Sequence, residues 1–211
     1  MTRDMTPEEL EAYYPVAEAN AHANMGRALQ ESGPAMKEIS KRVLGLAAAP
    51  VAMPQKLQQM RFAAGQWNDL IVKHSACKNG CSHCCHIGVM VTSAEAKLMG
   101  SKIGVKPAAP EKLVGLAELE GDVDNSRWMG VPCTFLGDKG CEVYENRPYM
   151  CRTQLNVDND ERLCRIVKGQ TINVPYADAT VLKAAMTIAA MKDRGVADIR
   201  EWFPHGLNRG D

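Results

Sequence analysis

Apolar residues recur at helical spacing through the first 76 positions and again from about residue 171, whereas the stretch between them alternates and breaks. Leu10, Tyr13, Tyr14 and Ala17 lie three and four apart, the period of one helix face. Thr6-Pro7-Glu8-Glu9 precedes them in capping-box order, with a first-turn proline and a glutamate at the third helical position. Gly33-Pro34 interrupts the pattern, and Met36, Ile39, Val43 and Leu46 predict a second helix that stops before Pro50 and Pro54. Leu57, Met60, Ala64, Trp67 and Ile71 predict a third.

In the middle, Ile87, Val89 and Val91 alternate as a short strand does, Ser93 is placed to cap a helix through Gly100, and Glu111–Glu120 after Pro110 reads as another helix. Pro132 to Tyr144 predicts a hairpin around Gly137–Gly140. Further on, Val181, Leu182, Ala185, Ile188 and Ala189 share a helix face that Gly195 ends, and Val196–Phe203 forms a short last helix stopped by Pro204. The expected class is mainly α, a helical domain with a small cysteine-rich metal-binding centre containing a short hairpin. Its parts are an N-terminal helical segment packing on the core (1–76), a cysteine-rich metal-binding domain (77–170) and a C-terminal helical segment (171–211).

Composition narrows the function. With 45% hydrophobic and 24% charged residues in 211, the chain can bury a core. Lys+Arg 25 equals Asp+Glu 25, so no nucleic-acid partner is expected. The first segment is itself balanced, eight basic against eight acidic, which suits packing; its apolar stripes leave a protein partner as the alternative. No run of 18 apolar residues offers a membrane span, and Met-Thr-Arg-Asp-Met-Thr-Pro-Glu has no apolar signal region. The expected location is therefore cytoplasmic, where clustered thiols bind metal rather than form disulfides. Four disulfides would require an exported protein.

All eight cysteines lie between Cys77 and Cys164, and Cys77, Cys81, Cys84 and Cys85 fall within nine residues. Thiolates are soft ligands, suited to zinc, to an iron–sulfur cluster or to Cu(I). Gly80 permits the tight turn that convergence of these side chains needs. Adjacent Cys84 and Cys85 point apart in regular backbone, so they suit different metals, or one of them binds while the other supports it. In the hairpin, pairing Leu136 with Cys141 would pair Cys133 with Tyr144. Cys133 and Cys141 would then face opposite ways unless a bulge intervenes. Both points tilt toward a polynuclear or two-site arrangement. Any one cysteine alone would read as a small buried hydrophobe.

His74, His83 and His86 add imidazoles near the first group, as ligands, hydrogen-bond partners or surface residues. The spacing Cys77-x3-Cys81-x2-Cys84 also matches the cluster motif of radical S-adenosylmethionine enzymes. No βαβα alternation and no Gly-Gly-Glu stretch follows it, and His83 replaces the aromatic residue usual before the third cysteine. Met25, Met36, Met60 and Met186 are scattered among helices, as core filler rather than a copper site.

The run ending in Cys84-Cys85, then Pro132-Cys133-Thr-Phe-Leu, Gly140-Cys141-Glu-Val-Tyr144 and Arg147-Pro148-Tyr-Met-Cys151-Arg152, resembles the YkgJ family, also called the CxxCxxCC family of zinc- or iron-chelating proteins. Cys164 followed by Arg165 resembles its closing segment. The likeness covers about residues 77–170, and three residues separate Cys77 from Cys81 where the family name has two. It implies that Cys77, Cys81, Cys84, Cys85, Cys133, Cys141, Cys151 and Cys164 bind metal or an iron–sulfur cluster. Arg147 and Arg152 would offset thiolate charge from a surrounding layer, unless Arg147 pairs with Glu145 or Glu142 on the surface. Pro148 would fix the turn and Tyr144 would cover the site. Some relatives are linked to methylation of flagellin lysines, although no glycine-rich strand-to-helix turn for a nucleotide is visible here.

The leading expectation is a metal-binding protein holding an iron–sulfur cluster, slightly preferred, or Zn2+. The other classes are a metal- or cluster-dependent enzyme, redox or protein-modifying, and a structural zinc module for a protein partner.

Overall fold

The computed structural model describes residues 5–78, 80–115, 126–167, 170–191, 193 and 195–207. Helix α1 runs Pro7–Ala48. Thr6 Oγ1 accepts from Glu9 N at 3.3 Å while Glu9 Oε2 accepts from Thr6 N at 2.8 Å, completing the capping box. The expected break at Gly33-Pro34 does not occur, because α1 passes through both residues. Its buried positions, Leu10, Tyr13, Ala17, Asn24, Ala28, Met36, Ile39, Val43 and Ala47, form one stripe that stays in phase across Pro34. An interior proline costs about 3 kcal/mol. Burying the Met36–Ala47 stripe outweighs it, at roughly 1.5–3 kcal/mol for each large side chain.

Helix α2 (Met53–Ile71) packs along α1 and buries Leu57, Met60, Ala64, Trp67 and Ile71. Helix α5 (Thr180–Ala190) covers the same core with Leu182, Ala185 and Ala189, whereas Val181 and Ile188 of its predicted apolar face remain exposed. It stops at Ala190; Gly195 instead takes a left-handed φ of 140° at the entry to the next strand.

A second, smaller core carries the cysteine region. Strand β1 (Met90–Thr92) pairs antiparallel with β4 (Val196–Asp198), in register Met90↔Asp198 and Thr92↔Val196. The predicted last helix is therefore strand first and helix second, with α6 confined to Ile199–Trp202. Helix α3 (Ser93–Ile103) follows β1, and its cap is Thr92 rather than Ser93, Thr92 Oγ1 accepting from Glu95 N at 3.1 Å. Residues 111–115 are not helical: Val114 bridges to Val196, and the rest of the helix predicted for Glu111–Glu120 lies outside the described residues. The hairpin β2 (Leu136–Gly137) and β3 (Gly140–Cys141) has the expected register, Leu136↔Cys141. Helix α4 is Tyr149–Thr153. Val89, Val91, Phe135, Trp202 and Phe203 form the floor of this core, Phe135 and Phe203 lying 5.3 Å apart. Mainly α with a short hairpin at the cysteine centre is the architecture observed. Among the described residues, no helix is long and apolar enough to cross a membrane.

Candidate metal centre

Each cysteine is placed by a short local device. Gly80, with φ 82°, turns the chain between Cys77 and Cys81, and Cys81 N donates to Lys78 O at 3.0 Å. A single 3₁₀ turn over His83–His86 then presents Cys84 and Cys85, closed by Cys85 N donating to Ser82 O at 2.9 Å. Cys133 is tied to that turn directly, its N–H donating to Cys85 O at 2.7 Å. Gly140, with φ 105°, brings the hairpin so close to the first loop that a Cβ on it would lie 3.8 Å from Gly80 Cα.

The paired strands are only two residues long, so the ladder ends before Cys133 can face Tyr144. Instead Leu136 N bonds to Cys133 O at 2.9 Å in a turn. Cys133 and Cys141 both line one cavity, and the expectation that they face opposite ways does not hold. The cavity has a volume of about 120 Å³ and is walled by Cys81, Cys84, Cys85, Cys133, Cys141 and Cys151, on an apolar floor that includes Val89, Phe135 and Ile199. Cys77 and Cys164 lie beside it, outside the wall. Asn156 joins these two: its Nδ2 donates to Cys164 Sγ at 3.2 Å, and its carbonyl accepts from Ala76 N at 2.9 Å. Among the described residues, no three Cys, His, Asp or Glu side chains stand close enough together to hold a single ion.

Electrostatics favour anionic occupancy. Lys78, Lys139 and Arg147 line the cavity, and no carboxylate is among the described residues that do so. Burial pushes the Cys77, Cys133, Cys141 and Cys151 thiols up, and Cys164 to about 12. Cys84 runs the other way, to about 7: the hydrogen bond from Cys85 lowers it most, and Arg147 adds to the effect. Donating that bond raises Cys85.

Arg147 does not pair with Glu145 or Glu142. Its guanidinium stacks 4.0 Å from the Tyr144 ring, Nη2 donates to Asn68 Oδ1 at 3.2 Å, and Nε is buried without a hydrogen-bond partner. Arg152 lies behind it: Nε donates to Arg147 O at 3.1 Å and Nη2 to Glu145 O, bracing the segment that carries Arg147. None of the three histidines lines the cavity. His74 Nε2 lies 3.2 Å from Glu31 of α1, and His86 Nδ1 lies 3.1 Å from Ser82 O.

One bracket escaped sequence reading. Arg200 is 4% exposed and Asp198 0%. Arg200 Nη1 pairs with Asp198 Oδ1 at 2.8 Å; Nη2 donates to the carbonyls of Cys85, Ile87 and Val131 at 3.1, 3.2 and 2.7 Å; Nε donates to Pro132 O at 3.2 Å. Asp198 Oδ2 also accepts from Val89 N at 2.6 Å. One guanidinium thus fixes the backbone at Cys85 and just after it, and immediately before Cys133. The order Asp198-x-x-Glu201 is a capping-box signature that marks the start of α6. No sequence pattern marks a side chain whose partners are backbone carbonyls.

Residues 76–174 match the CxxCxxCC family model, described as "Putative zinc- or iron-chelating domain". The matched region, 99 of the 211 residues, is similar to that domain. In the two other comparisons, no curated protein and no solved structure matches the chain. The matched region contains all eight cysteines with Arg147 and Arg152, whereas the Arg200 bracket comes from the segment beyond it. The description of the matched family names chelation of zinc or iron. The donor set fits either: thiolates under a rim of cations, with one buried guanidinium nitrogen unpartnered at the wall.

Proposed function

We propose that the matched region holds an iron–sulfur cluster through thiolates of this cavity. The observation that carries the reading is the donor set: six thiols around a shared space of about 120 Å³, more than the four donors that one zinc ion takes. A zinc ion needs four donors at about 2.3 Å from its centre. A cluster instead spreads its ligands around a larger inorganic core and is held by cysteine thiolates alone. The cationic rim and the free Arg147 Nε support the same reading, since hydrogen bonds and charges near the sulfurs stabilise a cluster that carries net negative charge. The apolar floor limits water there.

Visible absorption and electron paramagnetic resonance of protein prepared without oxygen test this. A brown protein that bleaches on reduction and gains a paramagnetic signal is the expected result. A colourless protein with no such signal, carrying zinc, would replace the cluster with a zinc site.

A further inference from the structure

Apart from the thiol-lined cavity, cationic side chains from three helices meet around a second cavity of about 250 Å³. Arg61 comes from α2, Lys102 from the last turn of α3 and Arg152 from α4. Arg61 is buried, Arg152 half-buried and Lys102 exposed, so positive charge runs from the base of the cavity to its rim. Glu145 is the one carboxylate among the described residues that line it, which leaves two positive charges unmatched.

The two guanidiniums are held close together. Arg61 Nη2 donates to Asn146 O at 2.6 Å and to Arg147 O at 3.1 Å, and Arg152 Nε donates to that same Arg147 O at 3.1 Å. Among the described residues, neither guanidinium forms an ion pair, and nor does Lys102. The buried Glu95 attracts Arg61 without pairing with it, its carboxylate accepting from Tyr149 N at 2.6 Å instead. Arg61 is 7% exposed, and its Nε is buried with no hydrogen-bond partner. Bracing the turn before Pro148 accounts for the bonds to its carbonyls. It accounts neither for a donor left unused on a buried cation nor for Lys102 at the same opening, and both are costly to leave without an acceptor or a counter-charge.

The geometry points to a binding site for the phosphate group of a small molecule, held by Arg61, Arg152 and Lys102. A phosphate monoester brings close to two negative charges and three acceptor oxygens, which matches the unmatched charge better than a carboxylate does. Phe62, 65% exposed, and Gln58 line this cavity and also a neighbouring one of about 580 Å³, giving the rest of the ligand a ring face and an amide to lie against. No cysteine lines the site, so it stands independently of the metal reading.

Calorimetric titration of inorganic phosphate into the full-length chain, purified without oxygen and at low ionic strength, tests this. Saturable binding at one site per chain is expected, about 10-fold weaker in Lys102→Met and weaker again in Lys102→Glu. Both substitutions fall on an exposed side chain, and metal content is expected to stay at the wild-type level, which separates this outcome from that of the metal reading. Lys139→Met, on the rim of the thiol-lined cavity, is expected to bind phosphate as the wild type does. Acetate is expected to bind far more weakly than phosphate. Absence of saturable phosphate binding would overturn the proposal, as would unchanged affinity in Lys102→Glu. Equal losses in Lys139→Met and Lys102→Glu would place the anion at the metal centre instead. Acetate bound as tightly as phosphate would overturn the assignment of a phosphate ligand.

Discussion

Replacing Arg200 with methionine removes a buried cation while keeping most of its apolar stem. Asp198, fully buried, would lose its ion-pair partner, and the carbonyls of Cys85, Ile87, Val131 and Pro132 would each lose a donor. Breaking a buried ion pair from one side costs about 3–5 kcal/mol, because the other charge stays in low dielectric. Each buried carbonyl left unsatisfied adds about 1–3 kcal/mol unless water enters to replace the donor. The ion-pair loss alone is a large share of the 5–15 kcal/mol typical of a domain. For a chain of this size, 1 kcal/mol moves Tm by about 2–4 °C, so a fall of about 6–20 °C is expected. Thermal unfolding followed by circular dichroism measures it. Adding Asp198→Asn, which keeps an acceptor for Val89 N but removes the stranded charge, should recover part of the loss. Because Arg200 holds the backbone of Cys85 and of the residue before Cys133, metal content should drop in Arg200→Met more than Tm alone explains. A Tm change below about 2 °C with full metal content would refute the bracket as the organiser of these two cysteines.

Three other outcomes follow from the same geometry. Removing the metal with a chelator should speed amide exchange through residues 77–164, while the α1–α2–α5 core exchanges as before; uniform change or no change would contradict a centre built only from the cysteine region. In the metal-free protein, burial holds the Cys77, Cys133, Cys141, Cys151 and Cys164 thiols above the ordinary value of about 9.0, Cys164 reaching about 12. Their contribution to stability is complete below pH 9 and is lost as pH rises through the folded values. Tm of the metal-free chain should therefore fall between about pH 9 and 12, with a smaller fall in the loaded chain, whose thiols are already deprotonated; parallel profiles would contradict this. Arg147→Met should weaken metal retention against a chelator by about 10–100-fold, while Tm of the metal-free protein changes little. Equal retention would remove Arg147 from the site.

What could be read from the chain was local in origin. Thr6 and Glu9 cap α1 because both partners lie within one turn, and Gly80 turns the first cysteine loop because its position in a short cysteine run already demanded a tight bend. The hairpin register followed from its glycines, but its reach did not: two-residue strands end before Cys133, and nothing between Pro132 and Leu136 announces that the ladder stops there. Gly33-Pro34 looked like a boundary because propensity is a local quantity, whereas the stripe that carries α1 through it is fixed by α2 and α5. Val196-Ala-Asp198 joins a strand only because Met90–Thr92 lies alongside. The cysteines were visible as a set through their chemistry. The convergence of six of them on one cavity, and the Arg200 bracket from beyond the matched region, depend on contacts between segments far apart in sequence.

Iron, acid-labile sulfide and zinc measured on one oxygen-free preparation of the full-length protein test the central claim most directly. Iron and sulfide in near-equal amounts, at a whole number of clusters per chain, is the result this account predicts. Zinc alone, with neither iron nor sulfide, would contradict it.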